Sequence, residues 1–303
     1  MSTTTSRTGP AAVEAAGVTA AAVAVEAPGE PPVDGAEPPR GVLSSPVLRR
    51  VGLRAASVGA VLLVWWAISA VGAPDPTLRP SPALVWHTMV DLSTMDDGGY
   101  NGLTWWQHLQ VSLRRVALGT AIGVSVGLVL GLAMGVITPL RVAVEPMLTF
   151  VRNLPPLAYF SLVVIWFGID ETPKILLLAI AAAPPVAVVT AGAVTGTPRA
   201  LLEAGRSIGL SRSGVIRHVV VPSALPEVLT GIRLSVAIAY SSVVAAETIN
   251  GLPGIGGMVR DAQAYNNTAV VVVGIIAIGV SGLLIDSAIA FVATRVTPWR
   301  GFA

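Results

Sequence analysis

Long stretches without a charged residue are the feature that most limits what this chain can fold into. Four of them hold 20, 25, 24 and 24 residues, and they lie at 55–74, 116–140, 175–198 and 262–285. About 20 apolar residues form a helix that crosses a hydrocarbon core of roughly 30 Å. Only 12% of the residues are charged, against about 25% in soluble domains. The pattern predicts a helical membrane protein and excludes an ordinary soluble enzyme.

Two shorter apolar stretches, 153–169 and 234–246, raise the predicted number of spans to six. A backbone in lipid must satisfy its own hydrogen bonds, so each span is expected to be a helix. Residues 46–303 are therefore predicted to form an all-α, six-helix transmembrane domain. The expected spans are Ala55–Gly72, Val116–Ile137, Pro146–Phe167, Ile175–Thr195, Val228–Ile249 and Thr268–Ala293.

The distribution of charge predicts the orientation of the chain. Residues 1–45 are rich in Ala, Pro, Thr and Gly, a composition typical of a disordered tail. With that tail inside, 12 of the 19 Lys and Arg residues fall on the inner side and 5 on the outer side, Arg114 and Arg115 among the outer ones. Cytoplasmic segments of membrane proteins are enriched in these residues. We expect a multi-pass protein of the cell membrane with both termini in the cytoplasm. The basic residues form no stripe, so nucleic acid is not an expected partner.

Glycines recur every fourth residue along the second predicted span. They are Gly119, Gly123, Gly127, Gly131 and Gly135. Residues four apart share one face of a helix, and a continuous face of glycine lets another helix approach closely. We expect this face to be a packing surface within the bundle.

The inner segment between spans four and five, residues 196–227, carries the most specific local pattern. Arg199–Ile208 is expected to form a short helix that Gly209 ends, and Ser211 can cap the helix that follows. Charged residues are expected to lie exposed on this two-helix element. They are Glu203, Arg206, Arg212 and Arg217. The pattern predicts an element that protrudes into the cytoplasm and docks a soluble partner.

This segment resembles the cytoplasmic signature of the permease subunits of bacterial binding-protein-dependent ABC importers. The signature is Glu-Ala-Ala, three residues, Gly, nine residues, Ile, one residue and Leu-Pro. This chain departs from it at Gly205, Val219 and Val221. The resemblance implies a type I, MetI-like permease fold whose coupling helix sits in a cleft of an ATP-binding subunit. The residues to which it assigns that coupling are Glu203, Ala204, Gly205, Ser207, Gly209, Arg212 and Pro222.

Further motifs between residue 79 and the C-terminus are similar to the taurine, alkanesulfonate and nitrate branch of these permeases. They lie at Arg79–Pro82, Trp106–Leu109, Asn153–Ala158, Val164–Ile169, Glu171–Ile175, Ser223–Glu227 and Gly251–Gly254. Two segments, Val243–Glu247 and Val296–Gly301, look most like taurine permeases. The resemblance implies a complex of two permease copies, two ATPases and one extracytoplasmic binding protein. ATP and Mg²⁺ would bind the ATPases, and this chain would bind no cofactor or metal.

The proline pair Pro155-Pro156 predicts a break in the third span, because proline removes backbone donors and blocks the preceding turn. Such a break either lines a watery cavity or marks a loop-to-helix junction at the inner surface. Together with polar and aromatic side chains of spans three and five, it supplies candidates for the translocation pathway. They are Asn153, Pro155, Pro156, Tyr159, Trp166, Tyr240, Ser241 and Glu247.

Charges inside spans are costly and are usually paired or functional. Arg233 and Asp286 are expected at similar depth, so they either form a pair between two helices or Arg233 extends toward the surface alone. Glu247 is expected near the outer mouth of the pathway. Its carboxylate either meets the ammonium group of a zwitterion such as taurine or makes a structural hydrogen bond.

The sequence thus favours a non-catalytic permease subunit of an ATP-driven importer for taurine or a related sulfonate. Its single lysine, Lys174, lies in no phosphate-binding loop motif, so ATP would be hydrolysed by a separate subunit. The alternatives are the same class of importer for nitrate or another small organic anion, and a stand-alone secondary transporter. A secondary transporter is expected to repeat its broken helices in matching halves, and a second matching break is not evident. An intramembrane enzyme is disfavoured, because His87, His108 and His218 form no metalloprotease motif.

Overall fold

The computed structural model describes residues 46–71, 77–94, 99–249 and 253–299. The predicted tail, residues 1–45, lies outside the described residues. The regular elements of the described chain are all helices, joined by turns, and the described residues form no β-strand. Its helices are α1 (Pro46–Ala70), α2 (Pro82–Asp91), α3 (Trp105–Val136), α4 (Thr138–Asn153), α5 (Pro156–Phe167), α6 (Glu171–Thr195), α7 (Arg199–Ser207), α8 (Arg212–Val215), α9 (Val221–Ile249), α10 (Ile255–Ala264) and α11 (Thr268–Val296).

The chain divides into two units, Met1–Ala55 and Ala56–Ala303. The described part of the first unit is the helical start of α1. All the contacts reported below lie within the second unit.

Four helices of the described chain are long and apolar enough to cross a membrane. They are α3, α6, the continuous helix Arg212–Ile249 and α11. They confirm the predicted spans two, four, five and six as helices. The apolar part of α1, Ala55–Ala70, is shorter, and Gly72, where span one was expected to end, lies outside the described residues. The count of six therefore stays a prediction.

The predicted third span is two helices rather than one. α4 and α5 meet at an angle of 99°, and Pro155 between them has the extended backbone conformation φ −56°, ψ 127°. Pro156 is the first residue of α5, where a missing N–H leaves no bond unmade. The break predicted in the third span at this proline pair is confirmed, and α4 begins at Thr138, eight residues before the expected start at Pro146.

The beginning of α3 corrects the predicted bounds of span two. The helix starts at Trp105, eleven residues before Val116, behind a capping box in which Thr104 accepts from the N–H of Gln107 and the Gln107 side chain accepts from the N–H of Thr104. Arg115 was expected in an outer loop but lies inside this helix with 2% of its surface exposed. The charge is tolerated there because it is paired, as described below.

The glycine face of α3 packs directly against α6, as predicted. A Cβ atom at Gly127 would lie 2.6 Å from the backbone oxygen of Ala183, and one at Gly131 would lie 2.6 Å from that of Ala187. These distances leave no room for a side chain. α6 is the central helix of the unit, since it packs against both α3 and α9. Five of its residues are fully inaccessible to solvent: Leu177, Leu178, Ala182, Val186 and Ala187.

Candidate functional site

The α7–α8 element, residues 199–215, connects the end of α6 to the beginning of α9. α7 starts after Pro198 and ends at a turn in which Gly209 has a φ of +82°. That conformation favours glycine, and it lets the N–H of Leu210 reach the carbonyl of Gly205 at 3.2 Å. The Ser211 side chain then accepts from the N–H of Gly214 at 3.2 Å. The predicted short helix, its terminating glycine and the following cap are confirmed.

The described structure differs from the predicted inner segment, residues 196–227, in its second half. No loop leads from α8 to the span, because a π-helical turn, Ile216–Val220, joins α8 to α9. The helix is therefore continuous from Arg212 to Ile249. α8 is thus the first part of the same helix that forms the fifth span.

A small apolar core fixes α7 to this helix. Gly205 is buried, and a Cβ atom there would lie 3.0 Å from Cγ2 of Val219. Leu202 and Leu210 pack against Val215 and its neighbours in the same core. The element is thus held rigidly against the end of the bundle.

α7 also borders an open groove of about 820 Å³. Leu201 and Ile208 line it with 46% and 78% of their surface exposed, and Trp299 contributes to its wall. Large apolar side chains this exposed at a helix end are typical of a protein-binding surface. The residues that the resemblance assigns to coupling lie on or beside this element. Glu203, Ala204, Ser207, Gly209 and Arg212 are exposed, Gly205 is buried and Pro222 is half-buried.

A buried ionic cluster, here called the Arg115 network, lies at the opposite end of the bundle. Nη1 of Arg115 donates to Oε1 of Glu247 at 2.5 Å, and Nε and Nη2 donate to the two carboxylate oxygens of Glu171 at 2.6 and 2.5 Å. Ser112 donates to Glu247 at 2.8 Å. Glu247 is 0% exposed. The network joins α3, α6 and α9 through charge-assisted hydrogen bonds, which are stronger than neutral ones.

The same network holds the beginning of α10. Arg115 donates to the carbonyl of Pro253 at 2.8 Å, and the N–H groups of Ile255 and Gly256 donate to Ser112 and Glu247, both at 2.9 Å. A Cβ atom at Gly254 would lie 2.5 Å from the carboxyl carbon of Glu247. The turn before α10 therefore packs directly on this carboxylate.

These contacts bear on the role of Glu247. The structure places it inside the chain with its oxygens occupied by Arg115, Ser112 and Gly256, which favours the structural hydrogen-bonding alternative, and its assignment to the pathway stays a prediction. A buried carboxylate requires such partners because an uncompensated charge away from water is very costly. The sequence did not identify Arg115 as that partner. The only available signal was an arginine next to an apolar segment of 25 residues.

The remaining pathway candidates lie in two places. Asn153 and Pro155 are exposed at the α4–α5 break, where Pro156 and Tyr159 are half-buried, and Trp166 is exposed near the other end of α5. Tyr240 and Ser241 lie on α9, and Ser241 is exposed. The structure joins Arg233 to Asp286, as an ion pair between α9 and α11 that leaves 47% and 38% of these side chains exposed.

Outside the spans, the phenol of Tyr100 has a raised pKa. Tyr100 donates to Asp261 of α10 at 2.9 Å. Burial, followed by the hydrogen bond and charge of Asp261, raises the pKa of the Tyr100 phenol above its ordinary value. Among the described residues, no group of three His, Asp or Glu side chains is placed to hold a metal ion.

Residues 123–298 match the family described as Binding-protein-dependent transport system inner membrane component. The taurine transport system permease protein TauC of Escherichia coli (strain K12) is 36% identical over 256 residues, which are 84% of this chain and 92% of that protein. The putative aliphatic sulfonates transport permease protein SsuC of Bacillus subtilis (strain 168) is 33% identical over 79% of this chain and 84% of its own. The nitrate import permease protein NrtB of Leptolyngbya laminosa is 29% identical over 78% of this chain and 85% of that protein.

Two solved structures share the fold. A chain of the inward-facing MetNI methionine ABC transporter superposes with a TM-score of 0.53 at 20% identity, covering 64% of this chain and 94% of that chain. A chain of an amino acid ABC transporter crystallised with histidines gives a TM-score of 0.52 at 19% identity, covering 64% and 92%. At these identities the likeness concerns the fold alone.

Proposed function

Because this chain belongs to the family of binding-protein-dependent transport system inner membrane components, the permeases of ABC importers, we propose that it forms the membrane pathway of an ATP-driven importer for taurine or a related sulfonate. The substrate class follows the taurine and aliphatic sulfonate permeases, at 36% and 33% identity. The observation that carries the mechanism is the α7–α8 element. It is rigidly joined to α9 and borders an exposed apolar groove.

In this proposal the ATPase binds the groove beside α7. Glu203, Ala204, Gly205, Ser207, Gly209, Arg212 and Pro222 form or support the coupling surface. ATP, with Mg²⁺, is hydrolysed by the separate ATPase, and this chain is not itself an enzyme. Closure of the ATPases pushes on α7, and the continuous helix from Arg212 to Ile249 carries the displacement into the span.

The assembly is proposed to contain two copies of this chain, two ATPases and one extracytoplasmic binding protein. The described helices leave many apolar side chains exposed on α5, among them Ile165 and Trp166 at 76% and 67%. A second copy and membrane lipid would cover such surfaces. The proposed topology places α7 and both termini in the cytoplasm and the Arg115 network near the outer surface, in line with the excess of arginine on the inner segments.

The second candidate substrate is nitrate or another small anion. It is supported by the nitrate import permease, which is less similar to this chain than the sulfonate permeases, at 29% identity. The same fold and coupling element would serve both substrates. Measuring the uptake of taurine and of nitrate distinguishes the two candidate substrates.

The proposal is tested by ATP-driven uptake of labelled taurine into vesicles that contain the permease, its ATPase and its binding protein. Ile208→Asp places a charge in the apolar groove without disturbing a buried position, since Ile208 is 78% exposed. We expect it to lower uptake and coupled ATP hydrolysis at least tenfold. Ser213→Asp, an exposed position of α8 outside the groove, is the matched control and is expected to keep normal uptake.

Three outcomes separate the parts of the proposal. Taurine uptake that Ile208→Asp abolishes supports both mechanism and substrate. Nitrate uptake without taurine uptake supports the second substrate. Taurine uptake that persists without an ATPase contradicts the importer mechanism.

A further inference from the structure

An ion pair between two spans lies open at the surface of the described chain. Arg233 of α9 donates from Nε and Nη2 to the two carboxylate oxygens of Asp286 on α11. At 1.5 Å per residue, Asp286 lies about 27 Å from the start of α11 and about 15 Å from its end. The pair therefore lies within the helical length of α11 and not at its end. Even so, nearly half of the Arg233 side chain, 47%, is accessible.

This exposure indicates whether the surface around the pair meets hydrocarbon, water or protein. A charge that meets hydrocarbon is costly, and ionisable residues within spans face a bundle interior or a water-filled cavity. Arg233 lies on the same side of α9 as exposed Ala237 and Thr230. This side of α9 is therefore expected to face water or protein in the assembled transporter.

A small cavity adjoins the pair between the two helices. Its volume is about 160 Å³, and Arg233, Asp286, Tyr240, Ala237 and Gly282 contribute to its walls together with aliphatic side chains. At ~30 Å³ per water molecule, it holds about five waters or one molecule of a few non-hydrogen atoms. A Cβ atom at Gly282 would lie 3.0 Å from the Tyr240 ring, so glycine keeps this space open.

The pair keeps hydrogen-bonding capacity for a ligand. A guanidinium has five N–H donors and a carboxylate about four acceptor sites, and the pair uses two of each. Within the described part of the chain, the structure gives these two side chains no other hydrogen bond. A ligand with one anionic and one cationic end can therefore bind both groups without separating them.

We propose that Arg233 and Asp286 form a substrate contact selective for zwitterions, in which a sulfonate accepts from Arg233 and an ammonium group donates to Asp286. The inference rests on the proposed function and narrows its substrate class to amino sulfonates. A simple anion such as nitrate gains the attraction of Arg233 but is repelled by the neighbouring carboxylate. Two methylene groups separate the charges of taurine, which suits two adjacent partners.

The test uses the absence of cysteine from this chain. Ala237→Cys places a single thiol in the cavity wall of the permease, and an uncharged maleimide labels it in the permease–ATPase complex. Taurine is compared with 2-hydroxyethanesulfonate, which has the same sulfonate and a hydroxyl in place of the ammonium group. We expect taurine to protect the thiol at concentrations at least tenfold lower.

Two further variants make the result specific. Ala288→Cys is an exposed position of α11 outside the cavity, and neither compound is expected to protect it. Asp286→Asn combined with Ala237→Cys removes the partner of the ammonium group, so the two compounds should then protect equally. If that double variant fails to assemble, the comparison of the two compounds on Ala237→Cys alone decides the question.

The outcomes distinguish this inference from the proposed function. Equal protection by both compounds, or no protection by taurine in a complex that transports taurine, overturns the zwitterion contact and leaves the importer standing. Absence of ATP-driven taurine uptake by the complete assembly overturns both. Selective protection by taurine that Asp286→Asn removes supports the contact.

Discussion

Replacing Glu247 with glutamine tests the Arg115 network most directly. The glutamate is fully buried and accepts from Arg115, Ser112 and the N–H of Gly256. Glutamine has nearly the same shape but carries no charge, and its amide group brings an N–H₂ toward groups that already donate. As a charged partner, Arg115 then keeps only Glu171, whose side chain is 56% exposed.

The expected loss of stability follows from this burial. Removing one partner of a buried ion pair costs about 3–5 kcal/mol, and the lower value applies because Glu171 still neutralises the arginine. A change of 1 kcal/mol shifts Tm by roughly 2–4 °C in a domain of this size. Glu247→Gln should therefore lower Tm by about 6–12 °C. Glu145→Gln, which removes the partner of Arg141 from a pair whose side chains are 36% and 37% exposed, should cost about 1 kcal/mol or less.

The assay is thermal unfolding of the purified permease in detergent, followed by tryptophan fluorescence. Glu145→Gln is the matched control, because it makes the same substitution at a carboxylate whose ion pair with Arg141 is exposed. Replacing both buried charges, Arg115→Met with Glu247→Leu, is expected to recover most of the loss, since no charge then remains unpaired. Equal shifts for the two glutamine variants, or a double variant less stable than Glu247→Gln, would refute this reasoning.

Three further predictions concern local contacts. Gly127→Ala should destabilise the permease by about 1–3 kcal/mol because its Cβ meets a backbone oxygen of α6, whereas Gly192→Ala, with nothing within 4 Å, should not lower Tm. Because the pKa of Tyr100 is raised, its hydrogen bond to Asp261 stabilises the fold below the unfolded pKa of about 10 and is lost as pH rises through the folded pKa. Tm should therefore fall as pH rises above about 10, and less steeply in Tyr100→Phe; identical pH profiles would contradict this. Ser211→Ala should cost about 1 kcal/mol in the α7–α8 element, measured as faster hydrogen exchange confined to α8, and unchanged exchange there would contradict the cap.

Local features of this protein were determined by the sequence alone. Helical spans follow from uncharged segments of 20 to 25 residues, because only a helix satisfies its own backbone in lipid. The end of α7 at Gly209, the cap at Ser211 and the break at Pro155 follow from the conformational preferences of single residues. The glycine face of α3 follows from the four-residue spacing. Each of these features is encoded within a few residues of the chain.

The tertiary structure decided which charges meet. Arg115 and Glu247 are separated by 132 residues, and no local pattern indicates that the turn before α10 closes over them. The start of α3 was misplaced for the same reason, since an arginine next to an apolar segment predicts a helix end unless a buried partner is known. Arg233 and Asp286 could be predicted as a pair because depth along two spans can be counted from the sequence. The cavity beside them could not, because its walls come from the packing of two helices whose facing sides only the fold defines.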